Sequence, residues 1–192
     1  SDRDGYSARS ASYVTVNKSS LEPNGSMAQA TTIEREEYGL WIDGTDRPAD
    51  DGRTLAVEDP ATGEVLTHVA AASEADVSTA VSVAESAGEE WAARIPKERT
   101  RTLLAIAETI RENAERLARI ETLENGKPLS EARGQVRRCA RHFEYYAGEA
   151  DKIEGDSIPL GDGYVDYTVH EPLGVTAHIV PWNVPIYLFA RS

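Results

Sequence analysis

One cysteine, one methionine and two phenylalanines are all that 192 residues hold of those types, and only four of the 20 basic residues are lysine. Each scarcity excludes something. With Cys139 alone, no intramolecular disulfide forms, and a reducing, cytoplasmic setting is the expectation. No run of 18 apolar residues occurs, so no segment reads as a membrane-spanning helix. The first 30 residues also lack the apolar core of a signal peptide. Thirty-three acidic residues against 20 basic ones give a formal charge of −13 and no basic footprint for a phosphate backbone, which excludes nucleic acid as the expected partner. Arg137 and Arg138 with Arg141 form too small a cluster to change that. A lysine-poor acidic surface fits a chain kept soluble in concentrated salt. His68 has no second histidine or cysteine at ligand spacing, so no metal site is expected.

What is present is ordered along the chain. Residues 1–37 are rich in serine, threonine, asparagine and acids and poor in large apolar groups, the composition of a flexible tail. Met27, after Pro23-Asn24-Gly25-Ser26, is a candidate translation start within it. Order is expected from Tyr38. Gly39 to Gly44 reads as a short strand closed by an Asp-Gly turn, and Thr54–Asp59 with Glu64–Val69 reads as a hairpin around Pro60-Ala61-Thr62-Gly63. Ser73 with Asp76 forms a capping-box pattern, and the helix that follows places Val77, Ala80, Val81 and Ala84 on one packing face. Pro96 opens a longer helix with Leu103, Leu104, Ala107, Ile110, Ala114, Leu117 and Ile120 as its stripe, ending where Gly126 and Pro128 forbid continuation. Glu121 and Glu124 stand one turn apart on it, the spacing of paired catalytic acids, but nothing apolar or basic nearby signals a perturbed carboxyl, and the reading as part of the solvated face is preferred.

A third helix runs from Leu129 to about Ala147, with Leu129, Ala132, Val136, Cys139, Ala140 and Phe143 at helical spacing. That spacing makes Cys139 a buried small side chain and not a nucleophile. Residues 151–170 follow as two alternating strands around Gly161-Asp162-Gly163. A two-stranded arm is marginal alone and is expected to lean on something else. Residues 171–192 read as one unit: Leu173 to Val180 as a central strand of a parallel sheet, a tight turn at Pro181-Trp182-Asn183-Val184, and a helix starting at Pro185. In open α/β sheets such a junction lies where ligands bind. Asn183 sits on it with two readings open: a cap for the helix, or a neutral donor for an oxygen that gains negative charge.

Pro181-Trp182-Asn183-Val184-Pro185 resembles the P-W-N-x-P segment of the aldehyde dehydrogenase superfamily. Four further strings resemble that family in order. Asp59 to Val65 is similar to its N-P-A-T-G-E-V turn, Glu121 to Pro128 to its E-T-x-x-x-G-K-P segment, Tyr145-Tyr146-Ala147-Gly148 to Y-Y-A-G, and Glu171 to Val175 to E-P-x-G-V. Five ordered motifs are far more specific than any one. The resemblance covers residues 38–192 and leaves 1–37 unexplained.

The resemblance implies an α/β fold, the N-terminal part of a Rossmann-type cofactor domain, incomplete here, with residues 38–150 as its hairpins and helices and 151–170 as a protruding β-hairpin oligomerisation arm. It implies NAD or NADP as cofactor and oxidation of a small-molecule aldehyde to a carboxylic acid. A cysteine thiolate, a general-base glutamate and a homo-oligomer belong to that picture. Asn183 matches the family's oxyanion-holding asparagine; Ile179, Val180, Pro181 and Trp182 match the strand end lining the cofactor; Val184, Tyr187 and Leu188 match the substrate tunnel. Two departures stand out. Arg191-Ser192 replaces an aromatic residue and a lysine, and no glycine-rich phosphate loop, base or nucleophile follows. An N-terminal fragment without turnover is therefore expected, with a non-catalytic module that associates with full-length subunits as the alternative. Neither the aldehyde nor the choice between NAD and NADP is legible.

Overall fold

A computed structural model of the protein describes residues 33–191. The expected tail up to residue 32, with Met27, lies outside the described residues. Within them, pairing begins slightly before Tyr38. Strand β1 (Glu37–Tyr38) runs parallel to β5 (Val65–Ala70), which pairs antiparallel with β4 (Thr54–Glu58), giving the order β1-β5-β4. Thr67 reinforces the join by donating its hydroxyl to the Arg35 and Glu36 carbonyls. The β4–β5 turn closes where Asp59 accepts from the amides of Ala61 and Gly63.

A separate hairpin, β2 (Leu40–Ile42) with β3 (Thr45–Arg47), turns through Asp43 and Gly44, both with positive φ, as a two-residue Asp-Gly loop requires. Gly39 has a packing reason to be glycine. A Cβ there would collide with the Asp46 carboxylate and the Arg47 carbonyl.

Helix α1 (Glu74–Ala93) starts at the expected capping box, with Asp76 accepting from the Ser73 amide and also from the Asp50 amide. Those bonds, the Ser73 amide first, hold the Asp76 carboxyl below its ordinary pKa. The packing face expected downstream is not formed. Val77 is 54% exposed, Val81 is exposed as well, and Asp76 is the helix's single buried residue. An apolar stripe buries only if another element lies against it, and among the described residues none does.

The single long helix expected from Pro96 is two helices. Asn113 leaves helical geometry at φ −102° and ψ 11°, and its side-chain amide donates to the Thr109 carbonyl at 2.8 Å. The Asn113 backbone N–H shares that carbonyl at 3.2 Å, and at this residue the chain divides into α2 (Pro96–Glu112) and α3 (Ala114–Asn125). Leu104, on the expected stripe, is exposed; Ala107, Ile110, Leu117 and Ile120 are buried. Helix α4 (Leu129–Glu149) packs across both, and with α5 (Pro185–Arg191) encloses a core of Ala107, Leu117, Ala118, Ala132, Val136, Cys139 and Ala140.

The arm is a hairpin, but short: β6 (Ser157–Ile158) pairs antiparallel with β7 (Asp166–Tyr167). The central strand expected over Leu173–Val180 is absent. Residues 171–180 have no ladder partner among the described residues, and Leu173 and Ile179 are 94% and 96% exposed. A helix satisfies its own backbone, whereas a strand exists only beside another strand. No described helix is long and apolar enough to cross a membrane.

Candidate functional site

The Pro181–Pro185 turn is bolted to the helical core from one side. Pro185 opens α5, the Leu188 amide donates to the Val184 carbonyl at 3.0 Å, and Ile186 and Ala190 pack into the core. Val184, not Asn183, therefore occupies the residue before the helix. The Asn183 side chain makes no hydrogen bond to a described residue and is exposed, so the capping reading does not describe this geometry.

The backbone of the turn is held by residues 56 and 57 positions away. Lys127 Nζ donates to the Asn183 carbonyl at 2.6 Å, and Asn125 Nδ2 donates to the Trp182 carbonyl at 2.7 Å. Lys127 is 8% exposed, and its other two protons go to Glu121 Oε1 at 2.6 Å and Gln135 Oε1 at 2.7 Å. Gln135 is fixed in turn by donating to Glu131. Gly126, left-handed at φ 77°, caps α3 and reverses the chain so that Asn125 and Lys127 both reach the turn. A side chain there would also press on Pro60 at 3.0 Å.

Glu121 and Glu124 are not the unperturbed acids that the sequence suggests. Glu121 is buried, its Oε2 has no hydrogen-bond partner, and burial raises its pKa against the opposing pull of Lys127. Burial first, and the Glu121 charge second, push Glu124 up to about 7. The basic neighbour that spacing could not reveal is Lys127, brought back by the Gly126 reversal. Glu121 acts as the counter-ion of a buried ammonium, which accounts for its burial without a catalytic role.

Upstream of the turn, a cleft of about 350 Å³ is lined by Ala177, His178, Ile179, Val180, Pro181, Leu188 and Arg191. It gathers three of the four expected cofactor residues, Ile179, Val180 and Pro181, and leaves Trp182 outside. Of the three expected tunnel residues only Leu188 faces it. Tyr187 points to α4 instead, with its ring 4.9 Å from that of His142 and the Arg138 guanidinium 5.7 Å from its centre. Arg191, which the resemblance marks as a departure, lies on the cleft wall.

Cys139 is fully buried in α4, and burial pushes its thiol up to about 12. It has neither access nor a thiolate at neutral pH. Among the described residues no cluster of histidine, cysteine and acids is suited to a metal ion.

Comparison with known proteins matches residues 47–192 to the model of the aldehyde dehydrogenase family. Over 162 residues the chain is 42% identical to aldehyde dehydrogenase family 2 member B4, mitochondrial, of Arabidopsis thaliana, covering 83% of this chain and 30% of that protein. A solved aldehyde dehydrogenase from Bacillus cereus, in complex with NAD+, superposes with a TM-score of 0.79 at 39% identity, over 81% of this chain and 32% of that one. The enzyme from Brucella melitensis biovar abortus 2308 gives 0.79 at 36% identity, over 85% and 34%. The chain thus spans about 30% of the length of the curated relatives it matches.

Proposed function

Because this chain belongs to the aldehyde dehydrogenase family, we propose that it forms the N-terminal part of an NAD(P)-dependent enzyme that oxidises an aldehyde to a carboxylic acid, with the Asn183 amide as the oxyanion donor. One observation carries the reading. The turn is held through its backbone carbonyls by Lys127 and Asn125, which leaves the Asn183 side-chain amide exposed and without a partner among the described residues. A fixed backbone with an unused donor is the arrangement that electrostatic stabilisation of a developing oxyanion demands, since no reorganisation is then needed as charge builds.

The apolar segment Ile179-Val180-Pro181 supplies a wall for the dinucleotide, with Arg191 as a cation at its edge. When bound, the nicotinamide is the hydride acceptor. The 192 residues by themselves do not turn over, since their one thiol is buried and protonated.

A chimera tests this: residues 38–192 replace the matching segment of the Bacillus cereus enzyme, and NAD-dependent oxidation of propanal is followed by absorbance. The chimera is expected to be active, and Asn183→Ala within it to lower kcat by about 10²- to 10³-fold. An unchanged kcat in that variant sinks the oxyanion role.

A second reading, association with full-length subunits without catalysis, is favoured by the arm, where Tyr164, Val165, Tyr167 and Val169 are all exposed. An apolar edge of this kind pairs readily with another chain. Pull-down of a complete relative by the 192-residue chain supports it, and loss of capture on Val165→Asp locates the contact.

A further inference from the structure

The densest buried polar network among the described residues stands behind the turn, and the residues most exposed to solvent there do not belong to it. Lys127 gives one proton each to α3, α4 and the turn: Glu121 Oε1, Gln135 Oε1 and the Asn183 carbonyl. An ammonium has three donors, and all three are spent. Burying it is costly even with a counter-ion, and an ion pair of this kind is often replaceable by apolar residues without loss of stability. Stability alone therefore does not call for it. What an apolar pair could not do is direct a donor at one carbonyl of one turn.

We propose that Lys127 is the positioning residue of Asn183, fixing through the Asn183 carbonyl the direction in which the side-chain amide points, with Asn125 doing the same for the preceding peptide. The proposal rests on the reading of Asn183 as the oxyanion donor. The rest of the geometry shows why the turn needs such a bracket. Downstream it is anchored by α5, but upstream residues 171–180 make no strand ladder with any described residue. Among the described residues, only the two long-range bonds hold the peptide between Trp182 and Val184 from the core. Both donors lie within three residues, Asn125-Gly126-Lys127, on a reversal that only a left-handed residue allows. Arginine would not replace the lysine, because a planar fork cannot send three protons to acceptors from three directions.

The test uses the 192-residue chain labelled with ¹⁵N and ¹³C. The Lys127 ammonium is expected to give a slowly exchanging ¹H–¹⁵N signal with a scalar coupling across the hydrogen bond to the Asn183 carbonyl carbon. Lys127→Met combined with Glu121→Leu removes the pair as a unit and avoids a lone buried charge. In it the signals of α2 and α4 stay in place, the Asn183 side-chain amide and Trp182 indole resonances move, and backbone exchange at residues 182–184 rises at least tenfold. Glu121→Gln keeps the bond to Asn183 and leaves those turn signals unmoved. The proposal is overturned if the double variant leaves the Asn183 and Trp182 resonances unchanged. Should the double variant fail to fold, the coupling in the unsubstituted chain decides alone, and its absence is equally fatal. If the coupling is present but Asn183→Ala leaves kcat intact in the chimera, the oxyanion reading has failed and the bracket stands.

Discussion

Helix α4 and residues 171–180 are both rich in small and branched apolar side chains, and their fates are opposite. Ala132, Val136, Cys139 and Ala140 of α4 are fully buried. Leu173 and Ile179 are almost fully exposed. Apolar side chains alone do not decide the outcome; backbone demand does. A helix satisfies its own peptide groups and needs a neighbour only for its stripe, and α2, α3 and α5 provide one. A central strand needs neighbours on both edges and both faces, and the described residues offer none. Apolar residues make a core only where the partner is at hand.

The sharpest way to break this contrast is to place the same charge in both regions. Val136→Asp strands an unpaired carboxylate in the core and is expected to cost more than about 4 kcal/mol, unfolding the helical unit in a circular dichroism melt. Leu173→Asp is expected to stay within about 0.5 kcal/mol, as for an exposed position. Equal effects in the two would show that residues 171–180 are packed in solution.

The network between the two regions gives a smaller effect with a defined sign. Glu124 has an ordinary value of 4.5 and a folded value of about 7, so the folded state holds its proton more tightly than the unfolded one. Its contribution is fully present below pH 4.5 and is lost as pH rises through 7, by an amount on the order of 3 kcal/mol. Urea unfolding between pH 4.5 and 8 is expected to show that decline, and Glu124→Gln to flatten it. Carboxylates with lowered values, such as Asp76, lose their contribution only as pH falls below this window, so the two trends do not cancel.

Smaller again than the pH effect is the one at α1, which resembles residues 171–180 in its exposed apolar face but remains a helix. Ser73→Ala removes the cap and is expected to cost about 1 kcal/mol, seen as fraying of α1 with the melting of α2 and α4 nearly unmoved. A joint loss of all the helices would mean that α1 packs against them.

Much of this was legible from local patterns. Periodicity placed α4 and buried Cys139; Asp43-Gly44 and Thr62-Gly63 marked hairpin turns; Ser73 and Asp76 announced the start of α1. The aldehyde dehydrogenase family was readable from five short strings, and the family match bears it out. Three features were not legible. The break at Asn113 rests on one residue, whose side-chain amide joins its own N–H on the Thr109 carbonyl, and the apolar stripe across it conceals that. Composition suggests a strand over Leu173–Val180, but a strand is a property of a pair. The perturbation of Glu121 and Glu124 is hidden in the sequence because the cation that faces Glu121 follows a chain reversal and so breaks helical spacing.

Sequence alone determined where α1, α2, α4 and α5 start, where hairpins turn, that the lone thiol is inward, and that Pro181 and Pro185 bound a tight turn, because each follows from interactions among residues a few positions apart. Tertiary structure decided which apolar faces found partners and what holds the turn. Lys127 and Asn183 stand 56 positions apart, and only the packing of both α3 and α5 on α4 brings that ammonium beneath that carbonyl. A buried charge takes whatever acceptors the fold places around it, and no local rule specifies them.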